Sequence, residues 1–249
     1  MSTTPPTEPA AIDMPTAALP YLIYQRSSYL GDRTGYRLLT RIGDRLSVLF
    51  KMTVALKARW YGPALVAAYN EDIAVDFASC VPHLPEQPTA LLDIGAGLAG
   101  VDILMSRHFD HAVDVHLLDK TAVEDRIYYS FTERGAYYNS QTLTREVLEH
   151  NGVPRERIFT HEAEEPYDCF EPNHYDVITS FISWGFHYPL ETYLANVTQS
   201  LKPDGVLIID IRKGTDGLAI LEAAFGEVRV IFEGVKKQRI LATKPRKET

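Results

Sequence analysis

The sequence predicts an α/β fold: a doubly wound, mostly parallel sheet, preceded by an N-terminal helical segment and closed by an antiparallel hairpin. Three observations predict it. From residue 90 onward, short apolar runs alternate with helical stretches, the pattern of βαβ units whose sheet is covered on both faces. The first of these runs leads into a glycine-rich turn that opens a helix, Leu91-Leu92-Asp93-Ile94-Gly95-Ala96-Gly97-Leu98-Ala99-Gly100. The last two runs leave no room for a helix between them, so they are expected to pair as a hairpin near Glu233-Gly234.

Taken in order, residues 1–20 hold five prolines among Ser, Thr and Ala; a segment with so little to bury is expected to be a disordered tail. Residues 21–85 read as a helical cap. Leu39, Ile42, Leu46 and Leu49 recur at three- and four-residue steps, Gly62-Pro63 interrupts, and Ala64 to Ala78 forms a second helix. Pro82, Pro85 and Pro88 mark a linker into the main domain, 86–249. Its expected strands are Ala90–Ile94, Ala112–Leu118, Arg157–Thr160, Tyr175–Ile182, Val206–Ile211, Val228–Phe232 and Arg239–Ala242. The helices between them are Leu98–His108, Gln141–Asn151, Leu190–Leu201 and Gly217–Ala224. Residues 120–140 form an insertion.

The bulk numbers exclude several classes. With 45% hydrophobic and 23% charged residues the composition is that of an ordinary globular chain. No apolar run is long enough to span a bilayer, and no basic-then-apolar leader is seen. Cys80 and Cys169 are far apart and form no metal-binding spacing, so a reduced, cytoplasmic setting is expected. The net charge of −8 argues against nucleic-acid binding. Residues 21–60 nevertheless carry eight Lys or Arg against two acids, so this segment is +6 and the rest −14. Arg33, Arg37, Arg41 and Arg45 would form one helical stripe, either a solvated face or an anion-binding one.

The glycine turn carries the chemistry. Glycines there permit a tight turn and close approach of a ligand to bare backbone, and the helix start is expected to present free N–H groups. The next strand ends in Asp119, 24 residues after Gly95, where a carboxylate can accept hydrogen bonds from the two hydroxyls of a ribose. Nicotinamide or flavin dinucleotides and S-adenosylmethionine both suit such an architecture. Asp93, two residues before the first glycine, would repel a pyrophosphate but favour a ligand with an ammonium and a sulfonium.

Asp93-Ile94-Gly95-Ala96-Gly97 resembles the first motif of class I methyltransferases. Leu201-Lys202-Pro203-Asp204-Gly205 resembles the turn before their fifth strand, and Tyr175-Asp176-Val177-Ile178 the opening of their fourth. The resemblance spans about Ala90 to Lys244 and implies a Rossmann-like seven-stranded sheet with a C-terminal antiparallel hairpin. It further implies that S-adenosylmethionine is the cofactor, with Asp93, Gly95 and Gly97 at its methionine part and Asp119 at its ribose. Lys120, Glu162 and Ala163 would lie by the adenine, and Ser180 at the neighbouring strand end. Two departures stand out: Ala99 replaces a frequent glycine, and Lys120 a frequent apolar residue.

For the acceptor, the run Ser180-Phe181-Ile182-Ser183-Trp184-Gly185-Phe186-His187-Tyr188-Pro189 is expected at the carboxyl end of the fourth strand. It resembles sugar O-methyltransferases of bacterial polysaccharide clusters. Trp184, Phe186 and Tyr188, with Tyr128 and Tyr138 from the insertion, are the expected substrate-binding rings, core packing being the other reading of each. His187 is the expected general base. Asp176 and Asp210 are acids that a magnesium ion could use, but no spacing calls for a metal. The expected activity is methylation of a small molecule, an O-methylation of a sugar or secondary metabolite. The readings beside it are N-methylation, an NAD(P)-dependent oxidoreductase, and a non-catalytic binding subunit of the same fold. The expected partners are the small-molecule acceptor and, as a homodimer, a second copy of the chain.

Overall fold

The computed structural model describes residues 11–26, 29, 45–123 and 138–247. Its helices are α1 (Leu19–Gln25), α2 (Arg45–Cys80), α3 (Gly100–His108), α4 (Gln141–His150), α5 (Leu194–Ser200) and α6 (Gly217–Ala224). Its strands are β1 (Ala90–Ile94), β2 (Asp114–Asp119), β3 (Ala122–Val123), β4 (Tyr138–Asn139), β5 (Ile158–Glu162), β6 (Tyr175–Ser180), β7 (Ser183–Tyr188), β8 (Leu201–Arg212), β9 (Phe225–Glu233) and β10 (Lys237–Pro245).

Seven strands form one sheet in the order β5-β2-β1-β6-β8-β10-β9. The pairs β5–β2, β2–β1, β1–β6 and β6–β8 are parallel, and β10 lies antiparallel between β8 and β9. This is the doubly wound sheet with a closing hairpin that the sequence predicts. β1 is central and every one of its residues is buried, as a strand covered on both faces requires. Successive side chains part to opposite faces. Leu91 joins Val101, Met105, Val147 and the buried residues of α1 and α2, while Leu92 and Ile94 join Trp184, Val197 and Leu221. Helices α1 to α4 thus cover one face, and α5, α6 and β7 the other.

Helix α2 is kinked where expected: Tyr61 leaves helical geometry (φ −118°, ψ 15°) just before Gly62-Pro63, because Pro63 lacks a helical N–H and its ring crowds the preceding turn. The Leu-Lys-Pro segment is a loop within β8. Tyr175 pairs with Leu201 and Val177 with Val206, so Lys202 to Gly205 stand outside the ladder. Lys202 Nζ there bonds the Asp176 carboxylate at 2.8 Å and Thr89 Oγ1 at 2.8 Å, tying together the starts of β1, β6 and β8.

Two expectations fail. Residues 11–20 are not a loose tail. Ile12, Met14 and Ala18 are core residues, the Ile12 N–H donates to Asn70 Oδ1 at 2.6 Å, and the Asp13 N–H donates to Asn151 Oδ1 at 2.9 Å. Three apolar residues and two side-chain amides offset the proline content. The run after the fourth strand, expected only as a segment at that strand's carboxyl end, instead forms the extended β7 with Gly185 inside it at φ +81°, and the break between the two strands comes at Ile182 (φ +53°). Arg33, Arg37, Arg41, Tyr128 and most of the 120–140 insertion lie outside the described residues, as do the side chains of Arg45 and Tyr138.

Candidate functional site

The turn between β1 and α3 uses its glycines as expected. Gly95 and Gly97 have φ of +82° and +57°, and a side chain on either would collide with a neighbour: Ser183 at Gly95, the Gln25 amide at Gly97. Ala99 also takes left-handed backbone, φ 55°, a strained place for a Cβ. Asp119 stands at the end of β2 beside this turn. Its Oδ2 accepts from the Gly97 N–H at 2.8 Å and from Asn139 Nδ2 at 2.9 Å, and its Oδ1 accepts from the Lys120 N–H at 2.7 Å. A carboxylate has about four acceptor positions, so Oδ1 retains capacity. Burial raises the Asp119 pKa, and these three bonds oppose the rise.

The far wall is a polar lattice. Gln141 Nε2 stands within hydrogen-bond distance of three acceptors, the backbone oxygens of Asp119 (2.7 Å) and His161 (2.8 Å) and Glu162 Oε2 (3.0 Å), which share its two hydrogens. Glu162 Oε1 accepts from the Thr121 N–H at 2.6 Å. The Ala163 N–H bonds Asp119 O at 3.0 Å. Thr144 Oγ1 lies 2.6 Å from Gly97 O and 3.0 Å from Asn139 Oδ1. Asp119, Lys120, Glu162 and Ala163 are therefore brought together with the glycine turn.

Asp93 does not face outward. It is buried, accepts from Thr179 Oγ1 at 3.0 Å, and meets a second buried acid, Asp102 of α3, whose two oxygens have no conventional donor. Two ionised carboxylates offer no hydrogen to each other, so a hydrogen bond across the pair needs one of them protonated. Burial holds Asp93 well above the usual carboxylate range, with the Asp102 charge adding to it, and burial pushes Asp102 up to about 6. The start of α3 is likewise filled. The Tyr69 hydroxyl of α2 lies against Gly100 and faces its backbone N–H. Where free N–H groups are expected around the turn and helix start, the Gly97 N–H is thus engaged by Asp119 and the Tyr69 hydroxyl crowds Gly100.

Beyond β6 the residues divide. Ser180 Oγ is buried, donates to Ile94 O at 2.7 Å and accepts from the Trp184 N–H at 3.1 Å, clamping the ends of β1 and β6. Trp184 is wholly buried with its indole N–H on Leu190 O at 2.9 Å; Phe186 is buried beneath the Arg212 guanidinium, 5.0 Å from the ring centroid. Both rings occupy the core instead of a ligand-facing wall, because β7 turns alternate residues inward. His187 is exposed and Tyr188 half-buried on the same strand. The protein around the imidazole lowers the His187 pKa, and Arg212 lowers it further. Asp176 and Asp210, the acids a metal could use, are engaged by Lys202 and by Arg239 with Lys237. A surface groove of about 570 Å³ lies on α2 around Trp60, Tyr61 and Leu65; none of these site residues lines it.

Sequence reasoning missed Gln25, Ser183, Asn139, Gln141, Thr144 and Asp102. Ser183 stood in the run already singled out, and Asp102 one turn into the expected helix. Nothing local marks Gln25, which reaches the turn only through tertiary packing.

No known family model matches the chain, and no curated protein sequence does. Among solved structures it is similar to a precorrin-6y C5,15-methyltransferase from Geobacter metallireducens GS-15 (20% identity over 72% of this chain and 89% of that one, TM-score 0.49). It is also similar to phosphoethanolamine N-methyltransferase 2 of Haemonchus contortus, solved with phosphomonomethylethanolamine and S-adenosylhomocysteine (16% identity, 63% and 38%, TM-score 0.45). A third such structure is the [4+2]-cyclase SpnF (13% identity, 56% and 44%, TM-score 0.42). The chain spans less than half the length of the last two.

Proposed function

We propose that the chain binds S-adenosylmethionine over the Gly95–Gly97 turn and transfers its methyl group to a hydroxyl of a small molecule, a sugar or a secondary metabolite. The observation that carries this reading is the direct bond between turn and acid, Gly97 N–H to Asp119 at 2.8 Å, at the carboxyl ends of adjacent parallel strands. The Gly95–Gly97 turn, with the Ser183 hydroxyl and the Gln25 amide set against it, suits the amino-acid end, the remaining acceptor capacity of Asp119 suits a ribose, and Lys120, Glu162 and Ala163 suit the adenine side. Asp93 shapes the turn from below and Ser180 holds its strand ends together. A dinucleotide fits less well: a pyrophosphate needs free N–H groups around the turn and helix start, and here Asp119 engages the Gly97 N–H while the Tyr69 hydroxyl crowds Gly100, above a buried acid pair.

The bound donor supplies a methyl group already activated on a sulfonium, so alignment by the protein supplies much of the rate. The chain's own chemical task is the acceptor proton. A neutral hydroxyl is a poor nucleophile, and His187, exposed and with its pKa lowered, stays in the basic form at neutral pH. Tyr188, with Tyr128 and Tyr138 of the insertion, would line the acceptor side, and Trp184 and Phe186 would support it from the core. Calorimetric titration with S-adenosylhomocysteine and with NADH tests the donor reading. Micromolar binding of the first and none of the second is expected; the reverse overturns it. Formation of S-adenosylhomocysteine across a library of hydroxylated metabolites then tests the acceptor class.

A further inference from the structure

The face of Gly97 is covered by a side chain from the far N-terminal end of the chain. A Cβ at Gly97 would stand 2.8 Å from Gln25 Oε1, 3.0 Å from its Cδ and 3.2 Å from its Nε2, so the whole amide lies against bare glycine backbone. Gln25 is the last residue of α1. That helix is held from both sides. Leu22 and Ile23 are core residues, and the next residue, Arg26, pairs with Asp72 at 2.9 Å and Asp76 at 3.3 Å on α2. The Arg26 guanidinium also lies 5.7 Å from the centroid of the Tyr69 ring, and the Tyr29 hydroxyl donates to Asp72 at 2.5 Å. Asp76 in turn binds Arg239 at 2.7 Å and Lys237 at 3.3 Å, and both of these cations hold the fully buried Asp210 of β8. Three cations and three carboxylates thereby fix the end of α1 against α2 and the sheet. Such a network is wasteful as mere stabiliser, since buried ion pairs scarcely repay their desolvation, but it sets position well.

We propose that α1 is the cover of the donor site: Gln25 is a binding residue for the amino-acid end of the donor, and Arg26 is the positioning residue that sets it there. The amide carries two N–H donors and a carbonyl acceptor, which matches a ligand end bearing both a carboxylate and an ammonium. A fully charged side chain would repel one of the two. Ser183, which closes on Gly95 from β7, is the corresponding hydroxyl on the other glycine. The inference rests on the donor reading above, and two probes separate them.

The test is calorimetry with S-adenosylhomocysteine, which keeps the amino-acid end, and with 5′-methylthioadenosine, which lacks it. Gln25→Ala is expected to weaken S-adenosylhomocysteine about tenfold, the scale of one or two lost hydrogen bonds, and to leave 5′-methylthioadenosine unchanged. Arg26→Gln should show the same selective loss, with Arg26→Lys recovering part of it, because an ammonium keeps the charge but not the two-acid fork. Equal weakening of both ligands would mean general loosening and would overturn the proposal. So would an unchanged affinity for S-adenosylhomocysteine in Gln25→Ala. If the unmodified chain binds neither probe, the donor reading itself is lost, a result distinct from either of those.

Discussion

The backbone N–H of Gly97 meets the Asp119 carboxylate at 2.8 Å, so the turn after β1 and the acid ending β2 form one unit before any ligand is considered. On the proposed reading Asp119 has two tasks, holding the turn and binding the ribose. Asp119→Ala is expected to reduce affinity for S-adenosylhomocysteine by about 30-fold or more, the loss of two charge-assisted hydrogen bonds. It should also lower the melting temperature, because the Gly97, Lys120 and Asn139 donors lose their acceptor. Asp119→Asn keeps an acceptor and should restore most of the thermal stability but little of the affinity. Full affinity in either variant would remove Asp119 from the site.

The buried Asp93–Asp102 pair gives a stability effect with a definite sign. Burial raises both folded-state pKa values above the ordinary 3.8, that of Asp102 to about 6 and that of Asp93 well above the usual carboxylate range. The folded chain thus holds protons that the unfolded chain releases. The contribution to stability is complete below about pH 4 and is lost as pH rises through 6 and beyond. Asp102→Asn removes one titrating group and can donate an amide hydrogen to Asp93. Relative to the unmodified chain it should be more stable at pH 7.5, on the order of 2 kcal/mol, since one pKa unit is about 1.4 kcal/mol. The advantage should shrink by pH 5. Urea unfolding at the two values checks this; a difference that does not change with pH would exclude a shared proton.

His116 works in the opposite direction. Its ring is stacked on Phe159 (centroids 4.5 Å apart) and its Nδ1 is 3.0 Å from His161 Nε2. Burial first, then the neighbouring His161 and His174, lower its pKa to about 3. The unfolded imidazole takes up a proton near pH 6.5 and the folded one does not. Stability is therefore present above that pH and lost as pH falls through it toward 3. His116→Phe should flatten the acid side of the stability profile by up to about 1.4 kcal/mol per pH unit between pH 6 and 4, the slope of a single proton. An acid limb as steep as that of the unmodified chain would place the responsible group elsewhere.

The sheet was legible because its strands carry their own signal. β1 is apolar but for Asp93, so its limits, Ala90–Ile94, follow from the run itself, and the hairpin follows from the lack of space for a helix between β9 and β10. The turn and Asp119 were legible as spacing. Asp93 was read only in part: its position beneath the turn is visible in the sequence, but its raised pKa depends on burial and on Asp102, nine residues on in another element. Residues 11–20 were misread because a composition rich in proline hides three buried residues. β7 was read as an aromatic ligand wall because alternation inside an irregular run, Trp184 and Phe186 inward and His187 outward, is hard to distinguish from a loop without the register. Gln25 could not be found at all, since its contact with Gly97 joins residues 72 apart in sequence.

The sharpest prediction concerns His187. It stands four residues past Ser183 on extended β7, a distance of about 13 Å at 3.3 Å per residue. Ser183 lies against Gly95, so the imidazole stands well along the strand from the glycine turn, and on the proposed reading the acceptor must meet it there. Its pKa is below the usual 6.5, through the surrounding protein first and Arg212 second. A base acts in its unprotonated form, so activity should rise with pH through that lowered value and be level by pH 7. His187→Ala should reduce kcat at least 100-fold, keep the affinity for S-adenosylhomocysteine, and abolish the ascending limb. Arg212→Gln, which removes the neighbouring positive charge, should shift the limb toward higher pH while leaving the plateau. If His187→Ala keeps most of its kcat and the same profile, His187 is not the base. Methylation of an amine, which presents its own lone pair, would then be the better account of the acceptor.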